Sequence, residues 1–151
     1  IELRAVVQRT NGSRVLVNNQ EIAGIDKGLM VLLGIRKGDS TKDADYLTDK
    51  IINLRIFPDE NDKMNLSLLD IKGELLVISQ FTLYGDVRKG KRPSFTDSAH
   101  PDMAEKMYLK FIDKCIENGI KTEKGIFGAH MDVSLVNEGP VTILLDSKKS
   151  F

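Results

Sequence analysis

The chain has 151 residues, 41% apolar and 29% charged, with 22 basic and 22 acidic side chains. That is enough apolar material for one domain over 1–151 with its own core, and too much for a disordered chain. Zero net charge excludes a protein that coats long nucleic acid through its phosphates, but leaves room for a local basic footprint.

The single cysteine, Cys115, forbids an internal disulfide and fits a reducing, cytoplasmic compartment. No apolar run approaches the ~18 residues that a membrane span requires. The start, Ile1-Glu2-Leu3-Arg4, has neither the apolar stretch nor the small-residue cleavage site of a signal peptide.

The first third reads as strands. Leu3–Gln8 is β-branched and apolar, and Ser13–Val17 alternates before the turn signal Asn18-Asn19. Glu21–Ile25 and Leu29–Ile35 follow, separated by Asp26-Lys27-Gly28 and closed by Gly38. The continuous apolar run Leu29-Met30-Val31-Leu32-Leu33 predicts cover on both faces.

Ser40 and Asp43 resemble a capping box, and Ala44, Leu47, Ile51 and Leu54 recur at helical spacing. Arg55–Phe57 reads as extended and Pro58–Asp62 as a turn. Glu74–Phe81 is a buried strand, and Gly85 to Ser98 a loop. A second helix is expected from Pro101 to Asn118, with Pro at its first position, Gly119 just past its end and an apolar stripe that includes Cys115. Strands near Thr122–Ile126, Met131–Val136 and Val141–Leu145 complete an α+β, mostly antiparallel chain.

The familiar side-chain machinery is absent. There is no Gly-x-Ser-x-Gly elbow and no phosphate-binding loop. One cysteine and two histidines, His100 and His130, do not make a zinc site, and no cofactor is implied. Cys115 reads as a small core residue, His100 as a helix-start or surface residue, and His130 as a solvated or packed histidine without a Ser or Cys partner. A hydrolase built this way would use positioned backbone dipoles.

Two segments stand out. Ser79-Gln80-Phe81-Thr82-Leu83 carries a buried strand into polar residues, a rigid support for a site or merely a strand end that satisfies its own hydrogen bonds. Asn137-Glu138-Gly139-Pro140 reads by itself as a turn between two strands.

Together they resemble the paired signature of D-aminoacyl-tRNA deacylases (the D-Tyr-tRNA deacylase family). Four further segments match in order. They are Arg4-Ala5-Val6-Val7-Gln8-Arg9, Asn53-Leu54-Arg55-Ile56-Phe57, Arg92-Pro93-Ser94-Phe95 and Phe127-Gly128-Ala129-His130-Met131, and the second motif itself continues through Val141-Thr142. The resemblance runs from Leu3 to Asp146. Asp132 stands where many members have Gln.

The resemblance implies a homodimer with a compact β-barrel-like core, two main helices and active sites at the subunit interface. It implies a cis Gly139-Pro140 peptide reaching into the partner's pocket to reject L-enantiomers, held by Arg9. Ser79, Gln80, Phe81 and Thr82 would line the catalytic pocket, with Phe127 and Met131 around the terminal adenine of aminoacyl-tRNA. Backbone amides near Phe81 and Thr82 would form an oxyanion hole, with the tRNA 2′-OH assisting; Thr82 as nucleophile is the other mechanism. The basic run Arg88-Lys89-Gly90-Lys91-Arg92 is either a solvated loop or a set of tRNA contacts. A binding or scaffold protein using the same fold without catalysis is the competing reading.

Overall fold

The structure is a computed structural model that describes residues 3–38 and 40–151. Ile1, Glu2 and Asp39 lie outside them, and with them the first two residues of the start segment.

The four short strands expected at the beginning are two long ones, β1 (Leu3–Val17) and β2 (Gln20–Ile35). They form one antiparallel hairpin about Asn18-Asn19, both with positive φ, as the turn signal predicts. The supposed break at Asp26-Lys27-Gly28 is paired strand, with Gly28 opposite Thr10. Gly28 also lets β5 (Glu74–Ser79) come close: a Cβ on it would lie 1.8 Å from the Glu74 carbonyl oxygen. Its sequence signal was therefore packing, not a turn.

After β2 come α1 (Thr41–Asn53), a small hairpin of β3 (Phe57–Pro58) and β4 (Met64–Leu66), the short helix α2 (Leu68–Ile71) and then β5. The α1 box forms, with the Ser40 N–H donating to Asp43 Oδ2 at 2.9 Å. An equivalent box at Ser67 and Asp70 starts α2, a helix the periodicity had not suggested. A 3-10 turn (Phe81–Tyr84), α3 (Pro101–Glu117), β6 (Lys121–Lys124) and β7 (Asp132–Asp146) follow.

The main sheet has the order β6-β5-β2-β1-β7. It is mixed: β1 is antiparallel to β2 and β7, while β5 runs parallel to both β2 and β6. The expected barrel-like closure is not there, because β6 and β7 are opposite edges of an open sheet. Parallel pairs need long crossovers, and α1 and α3 supply them. Composition could not show this, since pairing partners are distant in sequence.

Helices cover one face. Leu3, Ala5, Val7, Leu29, Val31 and Leu33 pack with Ala44, Leu47 and Ile51 of α1 and with Tyr108, Phe111, Ile112 and Cys115 of α3. Each fully buried side chain of this kind contributes about 1.5–3 kcal/mol. Burial pushes the Cys115 thiol up to about 12, so it is an inert core group. The β1–β7 pairing shifts register between Gln8 and Ser13, a bulge in that ladder, and a second cluster of buried residues forms beyond it. This smaller cluster comprises Val15, Ile25, Met30, Leu76 and Ile78, with Met131 and Val133 packed against it. No helix among the described residues is long and apolar enough to cross a membrane.

Candidate active site

β5 is apolar and fully packed through Ile78, then turns polar at Ser79. The Gln80 N–H still donates to the Leu33 carbonyl at 2.8 Å, and the chain then tightens into the 3-10 turn. Gly34 of β2 makes room for that turn. A Cβ there would lie 3.0 Å from Leu83 Cβ and 3.1 Å from the Gln80 carbonyl oxygen. Polar residues are thus fixed at the carboxyl end of a parallel strand, where open α/β sheets commonly place ligands.

A cavity of about 730 Å³ opens at this point. It is lined by Ile78, Ser79, Gln80 and Phe81 from the end of β5, by Phe127, Gly128, His130 and Met131 from the segment between β6 and β7, and by Phe95, Ser98 and His100 from the segment before α3. The sequence-predicted Ser79, Gln80, Phe81, Phe127 and Met131 are therefore brought together. Thr82, also predicted, is not part of the cavity lining; it follows Phe81 in the 3-10 turn, and its hydroxyl accepts a hydrogen bond from Gln80 Nε2 at 2.6 Å.

Phe81 is 56% exposed and meets Phe95 edge-on at a centroid separation of 5.1 Å. Ser98 Oγ donates to the Phe81 carbonyl at 3.2 Å. Between β6 and β7, Phe127 lies 6.0 Å from the Tyr108 ring, whose hydroxyl donates to the Val77 carbonyl at 2.7 Å inside the core. Burial raises the Tyr108 phenol well above its ordinary value, so it stays a neutral donor. Met131 packs over Gly125, where a Cβ would come within 2.5 Å of its sulfur.

Phe95, Ser98, Lys37 and both histidines line this cavity without having been selected from the sequence as its residues. His100 caps no amide with its side chain; it is exposed, 3.9 Å from Asp102. Collinearity carried the only signal for Phe95, through the Arg92-Pro93-Ser94-Phe95 segment. Lys37, at the end of β2, gave none.

Arg9, Gly139 and Pro140 are elsewhere. The segment Asn137–Val141 is not a turn between two strands; it lies inside the continuous edge strand β7. The Gly139–Pro140 peptide is cis, and both residues are exposed. Arg9, itself 8% exposed, holds the segment from below. Its Nε donates to the Glu138 carbonyl at 2.9 Å and pairs with the Glu138 carboxylate, while Nη1 donates to the Ile56 carbonyl at 2.6 Å. Asn137 closes the local loop, its Oδ1 accepting from the Val141 N–H at 2.7 Å. Gly139 has φ +132°, a backbone conformation that favours glycine, and a Cβ on it would also crowd Arg9 Nη2 at 2.9 Å.

The basic run is part of an ordered arm. Asp86 and Ser94 exchange backbone hydrogen bonds of 2.7 and 2.9 Å, and Gly90 turns the tip with φ +69°. Among the described residues no group of three or more His, Cys, Asp or Glu side chains could hold a metal ion.

Comparison with known proteins agrees with this geometry. Residues 6–146 match the family model described as D-Tyr-tRNA(Tyr) deacylase. A D-aminoacyl-tRNA deacylase of Thermosipho africanus is 60% identical over 149 residues, 99% of this chain and all of that one. Among solved structures, a c-Myc DNA unwinding element binding protein superposes with a TM-score of 0.89 at 39% identity, covering 94% of this chain and 97% of its own. A probable eukaryotic D-amino acid tRNA deacylase shares the fold, with a TM-score of 0.84 at 19% identity over 97% of this chain and 100% of its own. On these grounds the chain belongs to the D-Tyr-tRNA(Tyr) deacylase family and is an enzyme of that hydrolase class.

Proposed function

We propose that this single-domain, cytoplasmic protein hydrolyses the ester of D-aminoacyl-tRNA to free D-amino acid and tRNA, as a proofreading step of translation. The observation that carries the reading is the 3-10 turn that begins in the cavity lining. The first amides of a helical turn have no carbonyl partner inside it, so the Phe81 and Thr82 N–H groups are available to an oxyanion. Losing one such donor typically costs about 2.7–4 kcal/mol of transition-state stabilisation.

An aminoacyl ester is already activated, and its ribose 2′-OH lies next to the scissile bond, where it can assist the attacking water. Phe127 and Met131 offer an apolar slot for the terminal adenine. Thr82 is a poor nucleophile here, because the group nearest its hydroxyl is the Gln80 amide, which is no base.

Selection against L-residues is assigned to Gly139 and Pro140 of a second copy. Two observations support a homodimer with shared sites. The Gly139–Pro140 pair is exposed and does not line its own chain's cavity. A cross-strand apolar row, Leu144–Val6–Leu32–Ile78, also runs over the helix-free face towards that cavity, with Leu144 56% exposed. A rigid main-chain wall rejects by collision, and glycine has no side chain to collide. Glycyl-tRNA is therefore expected to be a substrate as well.

Deacylation of matched D- and L-aminoacyl-tRNA by the purified protein tests the reading. Rapid loss of the D-ester alone is expected; equal rates for both would refute the assigned selectivity. The solved relative named for a DNA unwinding element favours a second reading, a nucleic-acid-binding protein with an idle pocket. Tight binding of duplex DNA without turnover of any D-aminoacyl ester would establish that one instead.

A further inference from the structure

Among the described residues, Arg88 is the only cation on the arm from Asp86 to Ser94 that has an ion-pair partner. Its Nε and Nη2 reach Asp86 Oδ1 and Oδ2 at 3.0 and 2.7 Å, and its N–H donates to Oδ1 at 3.0 Å. That pairing holds the Asp86 carboxyl down at about 2, so the brace is present at every pH where the protein would be used. Lys89, Lys91 and Arg92 are exposed and have no ion pair among the described residues.

The arm is fixed to the pocket rather than hung beside it. Phe95 follows Ser94 directly and meets Phe81 edge-on, the Ser98 hydroxyl donates to the Phe81 carbonyl, and the Lys37 N–H donates to the Asp97 carbonyl at 3.2 Å. Its three unpaired cations are therefore carried on an arm whose base, through Phe95 and Ser98, is part of the cavity lining, in a chain whose net charge is zero. A cation already neutralised by the protein releases no counterions on binding; a free one does. The division of labour within the run follows from that difference.

Resting on the tRNA reading above, we propose that the arm is the element that docks the RNA phosphate backbone beside the pocket, with Lys89, Lys91 and Arg92 as the contacts and Arg88 as a positioning brace that touches no phosphate. The contacts are to phosphates and not to bases, so the arm should act alike on every tRNA.

The test titrates uncharged tRNA against the full-length protein at several salt concentrations, using wild type, the triple variant Lys89→Ala/Lys91→Ala/Arg92→Ala, and Arg88→Ala. The triple variant should bind about tenfold more weakly or worse, and its slope of log Kd against log salt should flatten by about 3, one per lost phosphate contact. Arg88→Ala should leave the slope within about 1 of wild type while weakening binding modestly. Turnover is read in parallel on D-aminoacyl-tRNA and on a 3′-O-(D-aminoacyl)adenosine fragment; the ratio of the two rates should fall about tenfold in the triple variant.

Three results would overturn the assignment: an unchanged salt slope in the triple variant, a slope as flat in Arg88→Ala as in the triple, or losses of equal size on tRNA and fragment. The first would mean that the arm meets some other partner, such as an acidic protein. Failure of the wild type to hydrolyse any D-ester would sink the deacylase reading alone, because the binding titration still reports on the arm.

Discussion

The parallel β2–β5 pair carries a cavity at each end, and the chain builds them differently. At the Gly28–Glu74 end a groove of about 340 Å³ is lined by Arg14, Glu21, Asp26, Glu74, Lys121 and Glu123. Its cations are already matched: Arg14 with Glu21 and Asp26, and Lys121 with Glu74 at 2.7 Å. At the Leu33–Ser79 end the larger cavity is lined mainly by apolar side chains, among them Ile78, Phe81, Phe127 and Met131, with the start of the 3-10 turn and Lys37 in its lining. The first end satisfies itself, whereas the second leaves hydrogen-bond donors and positive charge to be used by something else. Polarity alone therefore does not mark a site in this protein; unspent polarity does.

Three changes would break or sharpen that contrast. The largest effect is expected from Gly34→Ala, which puts a methyl group against Leu83 Cβ and the Gln80 carbonyl and moves the turn that sets the pocket wall. We expect kcat/KM on D-aminoacyl-tRNA to drop about 100-fold, since misplacements near 1 Å can cost that much. Chemical denaturation should show a stability loss of about 1–3 kcal/mol from overpacking. An undiminished kcat/KM would mean that the position of the turn does not matter.

Next comes Tyr108→Phe, which leaves the buried Val77 carbonyl without its 2.7 Å donor. A loss of about 1–3 kcal/mol is expected in urea unfolding. KM should rise more than kcat falls, because the Tyr108 ring supports Phe127 in the cavity lining that we propose receives the adenine.

The smallest effect belongs to the self-satisfied end. Lys121→Met should cost less than about 1 kcal/mol, as an exposed ion pair does, and leave turnover untouched. Glu74 is held below its ordinary value of 4.5, chiefly by Lys121 and then by the Asp26 N–H. Its stabilising contribution is therefore complete above pH 4.5 and disappears as the pH falls through the lower folded value. Acid titrations of stability should show a shallower fall in that window for Lys121→Met than for wild type.

The sequence showed what depends on local pattern. The helical spacing of Ala44, Leu47 and Ile51, the proline at the start of α3 and the apolar run of β5 each stand where their neighbours in sequence put them. Pairing was hidden, because nothing in Leu75-Leu76-Val77 tells that it runs parallel to Leu29-Met30-Val31. Glycine was ambiguous for a physical reason: Gly28 and Gly139 serve close approach inside strands, and residue type alone reads the same as a turn. The α2 helix was legible in principle, since Ser67 and Asp70 carry the same box as Ser40 and Asp43.

At the site, the cluster of Ser79, Gln80, Phe81, Phe127 and Met131 followed from collinear motifs. Lys37 did not, because a lysine after a strand has no pattern of its own. The paired state of Arg88 was equally invisible, as it depends on a bend that brings Asp86 back towards it.

The pairing of β1 with β7 has a consequence for how the molecule comes into being. Arg4 lies opposite Asp146, and the Ser147 N–H closes on the Leu3 carbonyl at 2.9 Å, so β1 meets its second neighbour only after more than a hundred further residues have been synthesised. Until then one border of β1 is bare and Met131 and Val133 are missing from the second core. Such distant closure is slow compared with helix formation. A nascent chain should therefore acquire its helices and the β1–β2 hairpin first, and a finished reaction chamber only once β7 has emerged and paired.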